Sequence, residues 1–109
     1  MKKLILFGTG KYGMEALNFF GRENISYFAD NNKGLQGREI DGIRIISPKE
    51  LNRYIKDTVV VLAAGDTACL QMEYQLKKQG VEAFLNYRFV RKFIDKEKRS
   101  IDTFLKDIS

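Results

Sequence analysis

Residues 3–13, KLILFGTGKYG, decide the fold of this chain. An apolar run is followed by glycines in the pattern G-x-G-x-x-G, and a segment with helical character comes next. A second apolar run, residues 25–29, ends at Asp30. A strand, a glycine-rich turn, a helix, a second strand and an acid in this order form the dinucleotide-binding fingerprint.

Each part of the fingerprint has its own physical role. Gly8 permits a tight turn, Gly10 lets a pyrophosphate approach the backbone, and Gly13 lets the helix pack closely on the strand. The helix N-terminus presents free N–H groups and a partial positive charge to a phosphate, and Asp30 can accept hydrogen bonds from a ribose diol. We expect a nucleotide-bearing ligand, although a Rossmann-like unit that keeps the turn and binds nothing has the same pattern.

The rest of the chain alternates between strand and helix patterns. Strands are predicted at residues 3–7, 25–29, 58–63 and 81–85, with a small strand near 43–45. Helices are predicted at residues 11–22, 48 to about 54, 66 or 67 to 80, and 88–107. Strands joined by helices imply right-handed crossovers and a parallel sheet. The expected fold is α/β: one three-layer Rossmann-like domain over residues 1–109, with about four parallel strands in the order 3-2-1-4 or 2-1-3-4.

Helix starts and inward faces follow from local signals. Ser47, with Pro48 and Glu50 after it, predicts a capping box. Asp66 or Thr67 is expected to cap the next helix, with contact to ribose or sugar hydroxyls as the alternative. The inward residues expected of the first helix are Ala16, Leu17 and Phe20. Those expected of the last helix are Val90, Phe93, Ile101, Phe104 and Leu105, a stripe that the polar turn 96–100 interrupts.

The candidate site lies where the carboxyl ends of the strands meet, because ligands of parallel α/β sheets bind there. The loops 8–13, 30–34 and 63–67 converge at that edge. The candidate cofactor-binding residues are Gly8, Thr9, Gly10, Lys11, Tyr12, Gly13, Asp30, Asn31, Ala64 and Gly65. An acid at position 30 favours a free 2′-hydroxyl, so NAD or a UDP-sugar is expected rather than NADP. A solvated Lys11 and a turn-forming Asp30 remain the alternatives.

Composition limits the chemistry that this chain can perform. It has 109 residues, a net charge of +5, no histidine and one cysteine. Histidine-based catalysis, an internal disulfide and a cysteine-rich metal site are therefore excluded, and no catalytic or metal-binding residue is predicted. We expect Cys69 to be a buried structural thiol.

Charge and targeting signals bear on partners and location. Much of the positive charge lies in the last helix, which is read as a solvated face, with an acidic partner, a membrane surface or a second subunit as alternatives. No motif for RNA or DNA accompanies the charge, so nucleic acid is not expected as a partner. Without a signal peptide or an apolar run of membrane-spanning length, a cytoplasmic location is the default.

Residues 3 to about 51 resemble the N-terminal Rossmann-like domain of bacterial sugar acyltransferases and related surface-polysaccharide proteins. The matching pieces are the glycine stretch 4–13, Phe28-Ala29-Asp30-Asn31-Asn32, and the run from Gly37 to Leu51. The resemblance implies that the domain holds a nucleotide sugar. The glycine loop would receive the diphosphate and the acid would lie near the nucleoside, which points to Gly8, Thr9, Gly10, Lys11 and Asp30. The acetyl-CoA-binding β-helix of those enzymes and its catalytic histidine are absent, so transferase activity is not expected of this chain alone.

Three functions follow as alternatives. The first is a nucleotide- or nucleotide-sugar-binding module of bacterial glycan biosynthesis, non-catalytic by itself, acting as a homodimer or within a larger sugar-modifying enzyme. The second is an NAD(H)-binding redox-sensing domain or oxidoreductase fragment. The third is a protein-interaction module with a vestigial nucleotide site.

Overall fold

A computed structural model describes residues 2–108 of the chain. Its strands are β1 (Lys3–Phe7), β2 (Ile25–Ala29), β3 (Glu39–Ile40), β4 (Ile43–Ile46), β5 (Thr58–Leu62) and β6 (Phe84–Asn86). Its α-helices are α1 (Lys11–Phe20), α2 (Asp66–Lys78), α3 (Tyr87–Glu97) and α4 (Ile101–Ile108). Two short 3-10 helices, Arg22–Asn24 and Pro48–Arg53, complete the described elements.

The six strands form one sheet in the order β3-β4-β2-β1-β5-β6. All neighbouring pairs are parallel except β3 and β4, which form a short antiparallel pair. The four predicted main strands are thus ordered 2-1-3-4, and the predicted small strand is β4, beside β2. The direction of the connections reverses between β1 and β5, which places the expected ligand crevice at the carboxyl ends of those two strands.

Side chains of β1 alternate between two fully buried faces, which explains why the whole strand reads as an apolar run. Leu4 and Leu6 pack in a cluster with residues of α1, α3 and α4. Ile5 and Phe7 pack in a second cluster with α2 and the Pro48–Arg53 turn. Helices therefore cover both faces of the sheet, and the predicted three-layer α/β architecture is confirmed.

The C-terminal segment differs from its prediction as a single helix over residues 88–107. The chain breaks between α3 and α4 at Lys98, which adopts a left-handed conformation with φ of 53°. The break lets α4 turn back so that Phe104 and Leu105 reach the core, as predicted. Phe93 was predicted to face inward, but it is 43% exposed, and the next residue, Ile94, is buried in its place.

Smaller differences concern where elements begin and end. Helix α1 stops at Phe20 instead of residue 22, because Gly21 follows with φ of 92°. The Ser47 capping box forms as predicted, on a 3-10 helix. The prediction that Asp66 or Thr67 caps α2 is wrong: Gly65 is the N-cap, and Asp66 is the first helical residue. Strand β6 is shorter and later than predicted, and the backbone N–H of Val81 donates instead to the carbonyl of Leu76 in the turn that ends α2.

Within residues 2–108, no helix has both the length and the apolar character needed to span a bilayer.

Candidate functional site

The three loops that were expected to converge do meet at the carboxyl end of β1. The backbone N–H of Gly8 donates to the carbonyl of Ala29 at 2.9 Å, and the N–H of Ala63 donates to the carbonyl of Phe7 at 2.9 Å. The end of β1 is therefore held from both sides by the ends of β2 and β5. The glycine loop starts from a fixed point in the sheet.

Gly8 and Gly13 are required by close backbone packing. Gly8 has φ of 123°, and a Cβ there would lie 2.3 Å from the carbonyl oxygen of Ala63. A Cβ at Gly13 would lie 2.3 Å from the carbonyl oxygen of Gly8. The first and third glycines of the motif thus shape the turn and the approach of α1.

Gly10 is different, because the space beside it is open. A Cβ at Gly10 would meet no heavy atom of residues 2–108 within 4 Å. Gly10 is the N-cap of α1 and makes no side-chain cap, and the first turn of the helix contains no acidic residue. The N-terminal N–H groups of α1 and the positive end of its dipole are therefore available to an anion at this point.

Asp30 links the glycine loop to the loop that follows β2. Its Oδ2 accepts a hydrogen bond from Thr9 Oγ1 at 2.7 Å, and its Oδ1 accepts one from the backbone N–H of Asn32 at 2.8 Å. An ionised carboxylate has about four acceptor positions, so roughly two remain for another donor. The carboxylate is half-buried and fixed beside the glycine loop, which is the arrangement needed to bind a ribose diol.

The remaining candidate residues from the sequence lie in different environments around the loop. The side-chain amide of Asn31 makes two reciprocal hydrogen bonds with Gln75 of α2, at 3.0 and 2.8 Å, which orient this amide towards α2. Ala64 and Gly65 form the turn from β5 into α2, and a Cβ at Gly65 would have open space among the described residues. Lys11 is exposed, and its Nζ lies 5.9 Å from the centroid of the Tyr12 ring.

Arg88 also belongs to this edge of the sheet, although the sequence analysis assigned it to a basic helix face. The guanidinium carbon lies 4.9 Å from the centroid of the Tyr12 ring, and Nη2 forms an ion pair with Asp66. The sequence does contain a signal for this position. Asn86 ends a strand and caps α3 by accepting from the N–H of Arg88, so residue 88 must lie in the first turn at the carboxyl edge.

Cys69 lies in α2 behind the turn at Ala64 and is 4% exposed. Its thiol donates to the carbonyl oxygen of Ala64 at 3.3 Å. Burial raises the pKa of the Cys69 thiol by disfavouring the thiolate. The structure thus agrees with the prediction of a structural thiol and gives it no role as a nucleophile.

A thiol with a raised pKa has less thiolate at a given pH, so Cys69 is expected to react slowly with iodoacetamide at pH 8. Unfolding the chain in urea should restore the reactivity of an ordinary cysteine. The measurement is the alkylation rate by mass spectrometry in both conditions, with free cysteine as the reference. Equal rates in the folded and unfolded chain would contradict the buried position.

Comparison with known proteins identifies a family and several relatives. Residues 1–85 match the family model described as C2185-like, N-terminal. The redox-sensing transcriptional repressor Rex of Lactobacillus acidophilus is 26% identical over 98 residues, covering 84% of this chain and 46% of that protein. The chain therefore spans less than half the length of this curated relative.

Two kinds of solved structure share the fold. RSP, a Rex-family repressor, superposes with a TM-score of 0.62 and 20% identity, covering 79% of this chain and 44% of RSP. RSP also matches as complexes with NAD⁺ and operator DNA (TM-score 0.61) and with NADH (TM-score 0.57). UDP-D-quinovosamine 4-dehydrogenase of Vibrio fischeri gives a TM-score of 0.59 at 22% identity, covering 78% of this chain and 75% of the enzyme.

These relatives confirm the Rossmann-like fold of the nucleotide-binding type and correct one expectation. None of the relatives described above is a sugar acyltransferase, so they do not support that part of the resemblance. The exclusion of nucleic acid as a partner is wrong, because RSP is solved in complex with operator DNA. The exclusion relied on a missing motif, but a chain that covers 43% of that repressor does not reveal what the rest of such a protein binds.

Proposed function

This chain belongs to the C2185-like N-terminal family, and within that family we propose that it is an NAD(H)-binding module of a redox-sensing protein. The observation that carries the proposal is the Asp30 carboxylate, bonded to Thr9 of the glycine loop and retaining acceptor positions beside the open space at Gly10. An acid at this place pairs with a ribose 2′-hydroxyl, and the uncapped start of α1 suits a pyrophosphate.

The relatives strengthen this choice among the three sequence-based alternatives. A repressor named for redox sensing is similar in sequence, and a repressor of the same family has been solved with NAD⁺ and with NADH. This evidence favours the second alternative over the first, a nucleotide-sugar module of glycan biosynthesis. The proposed ligand contacts are the backbone of residues 8–13, the Asp30 carboxylate and the turn at Ala64 and Gly65.

Direct titration tests the proposal. The chain contains no tryptophan, so NADH fluorescence can be followed with little interference from the protein. We expect NADH and NAD⁺ to bind with different affinities, since a sensor responds only to a difference in binding free energy. NADPH should bind more weakly, and UDP-N-acetylglucosamine should not compete. Direct calorimetric binding of the UDP-sugar, together with no binding of NADH or NAD⁺, would instead favour the first alternative, a nucleotide-sugar module.

Replacing Asp30 with Asn is expected to lower NADH affinity about tenfold, because one charge-assisted hydrogen bond to ribose contributes about 1.5–3 kcal/mol. It should also reduce the preference for NADH over NADPH, since the negative charge that repels a 2′-phosphate is gone. Calorimetric Kd values for both nucleotides provide the measurement.

Thr9→Val is the matched control for Asp30→Asn, because it removes the 2.7 Å hydrogen bond between the loop and the carboxylate but leaves the carboxylate itself. Its nucleotide preference should stay as in the wild type. If Thr9→Val changes the NADH to NADPH ratio as much as Asp30→Asn does, the carboxylate acts through the loop and does not contact ribose.

DNA contact is a separate part of the proposal, because this chain covers less than half of the repressors it resembles. A fluorescent duplex titrated with the protein, with and without NADH, tests it. A change in DNA affinity with the cofactor supports a redox-controlled regulator. No DNA binding in either condition would restrict the function to nucleotide sensing. A cytoplasmic location, which suits either case, stays a prediction.

A further inference from the structure

Three helix N-termini meet beside the glycine loop, and one side chain connects them. Helices α1, α2 and α3 follow β1, β5 and β6, so all three begin at the carboxyl edge of the sheet. Arg88, in the first turn of α3, lies over the ring of Tyr12 from α1 and forms an ion pair with Asp66 from α2. Its guanidinium therefore stands next to the G-x-G-x-x-G turn.

Arg88 differs from the other arginines of the C-terminal segment in its position beside the glycine motif. Arg91 donates to the hydroxyl of Tyr87 at 2.8 Å and lies over the ring of Phe19, away from the loop. Arg99 is paired with Asp107. Among these three, only Arg88 contacts a residue of the glycine motif.

The hydrogen bonding of Arg88 is incomplete. Its Nε is buried and has no acceptor within residues 2–108. Its ionic partner Asp66 has a side chain that is 86% exposed, and ion pairs with such water-accessible partners contribute little to stability. Exchanging the Asp66 carboxylate for another oxyanion therefore costs little.

We infer that Arg88 binds the phosphate of the nucleotide and that Asp66 competes with this phosphate for the guanidinium. The inference rests on the proposed function, which places a pyrophosphate at the start of α1. Guanidinium groups bind phosphates through two parallel hydrogen bonds, and the Tyr12 ring holds this one beside the loop. Arg88 thus selects ligands with a phosphate there over nucleosides that lack one.

The test compares three variants: Arg88→Gln, Asp66→Asn and, as a matched control from the same helix, Arg91→Gln. We expect Arg88→Gln to weaken NADH binding about tenfold, which corresponds to about 1.4 kcal/mol. Asp66→Asn should tighten NADH binding a few-fold because the competitor is lost, and Arg91→Gln should change nothing. Adenosine, followed by ligand-observed NMR, should bind equally to the wild type and to Arg88→Gln.

Each outcome decides the inference. If Arg88→Gln binds NADH like the wild type, or if adenosine weakens as much as NADH, Arg88 does not bind phosphate, while the proposed function stands. If the wild type binds neither NADH nor NAD⁺, the proposed function fails and this inference fails with it. Arg88→Lys, which keeps the charge but loses the two-pronged geometry, should lie between the wild type and Arg88→Gln, and it serves if the glutamine variant does not fold.

Discussion

Gly8→Ala is expected to destabilise the fold by about 3 kcal/mol or more, from an unfavourable φ and from overpacking. The backbone at Gly8 has φ of 123°, and the added methyl group would lie 2.3 Å from the carbonyl oxygen of Ala63. Ala63 directly follows β5 and is held by the hydrogen bond from its N–H to the carbonyl of Phe7, so its backbone carbonyl cannot rotate away as a side chain can. The loss is a large part of the stability of a domain this size, so the midpoint of thermal unfolding should fall by roughly 15 °C.

The matched control is Gly10→Ala, the same substitution two residues later. Gly10 has an ordinary φ of −84° and open space beside it among the described residues. Its thermal midpoint should remain within a few degrees of the wild type. The midpoints of both variants are measured by circular dichroism during thermal unfolding. Equal midpoints would show that the turn does not require glycine at position 8.

Gly10→Val is expected to leave the fold intact and to lower NADH affinity about 100-fold, or about 2.7 kcal/mol. The branched side chain occupies the open space beside the α1 N-terminus, where we propose that the pyrophosphate lies. The NADH affinity of Gly10→Ala should lie between that of the wild type and that of Gly10→Val. Fluorescence titration with NADH, next to a thermal melt of each variant, separates binding from folding.

If Gly10→Val binds NADH with unchanged affinity, the nucleotide does not lie beside Gly10, and the glycine loop is not its binding site. Together, Gly8 and Gly10 separate the two roles of the motif. We expect Gly8 to be needed for the backbone to fold and Gly10 to be needed only for binding of the proposed nucleotide.

The sequence predicted the fold well because the strongest signals were local. The apolar run of β1, the glycine pattern, Asp30 after β2 and the Ser47 capping box each act over a few residues, and all appear where they were expected. The order β2-β1-β5-β6 was one of two alternatives, because crossover rules limit the topology without fixing it.

The structural predictions that were wrong concern features that depend on contacts between segments far apart in the sequence. The polar turn 96–100 marks where the last apolar stripe is interrupted, but the way the chain turns back at Lys98 goes with the packing of Phe104 on the core. The predicted cap role of Asp66 gave way to an ion pair with a residue 22 positions later, Arg88. The exclusion of nucleic acid was wrong because it relied on a missing motif, and the RSP repressor that binds operator DNA is covered by this chain over only 43% of its length.

The central position of β1 also has a consequence for how the chain acquires its structure during synthesis. Strand β1 emerges first, yet one of its two neighbours is β5, with Lys3 opposite Thr58. The glycine loop packs on Ala63, so its final shape cannot form until more than half of the chain has left the ribosome. Pairings between such distant segments form slowly. We therefore expect that a nascent chain ending before β5 lacks the ability to retain a nucleotide, although it already contains the entire fingerprint.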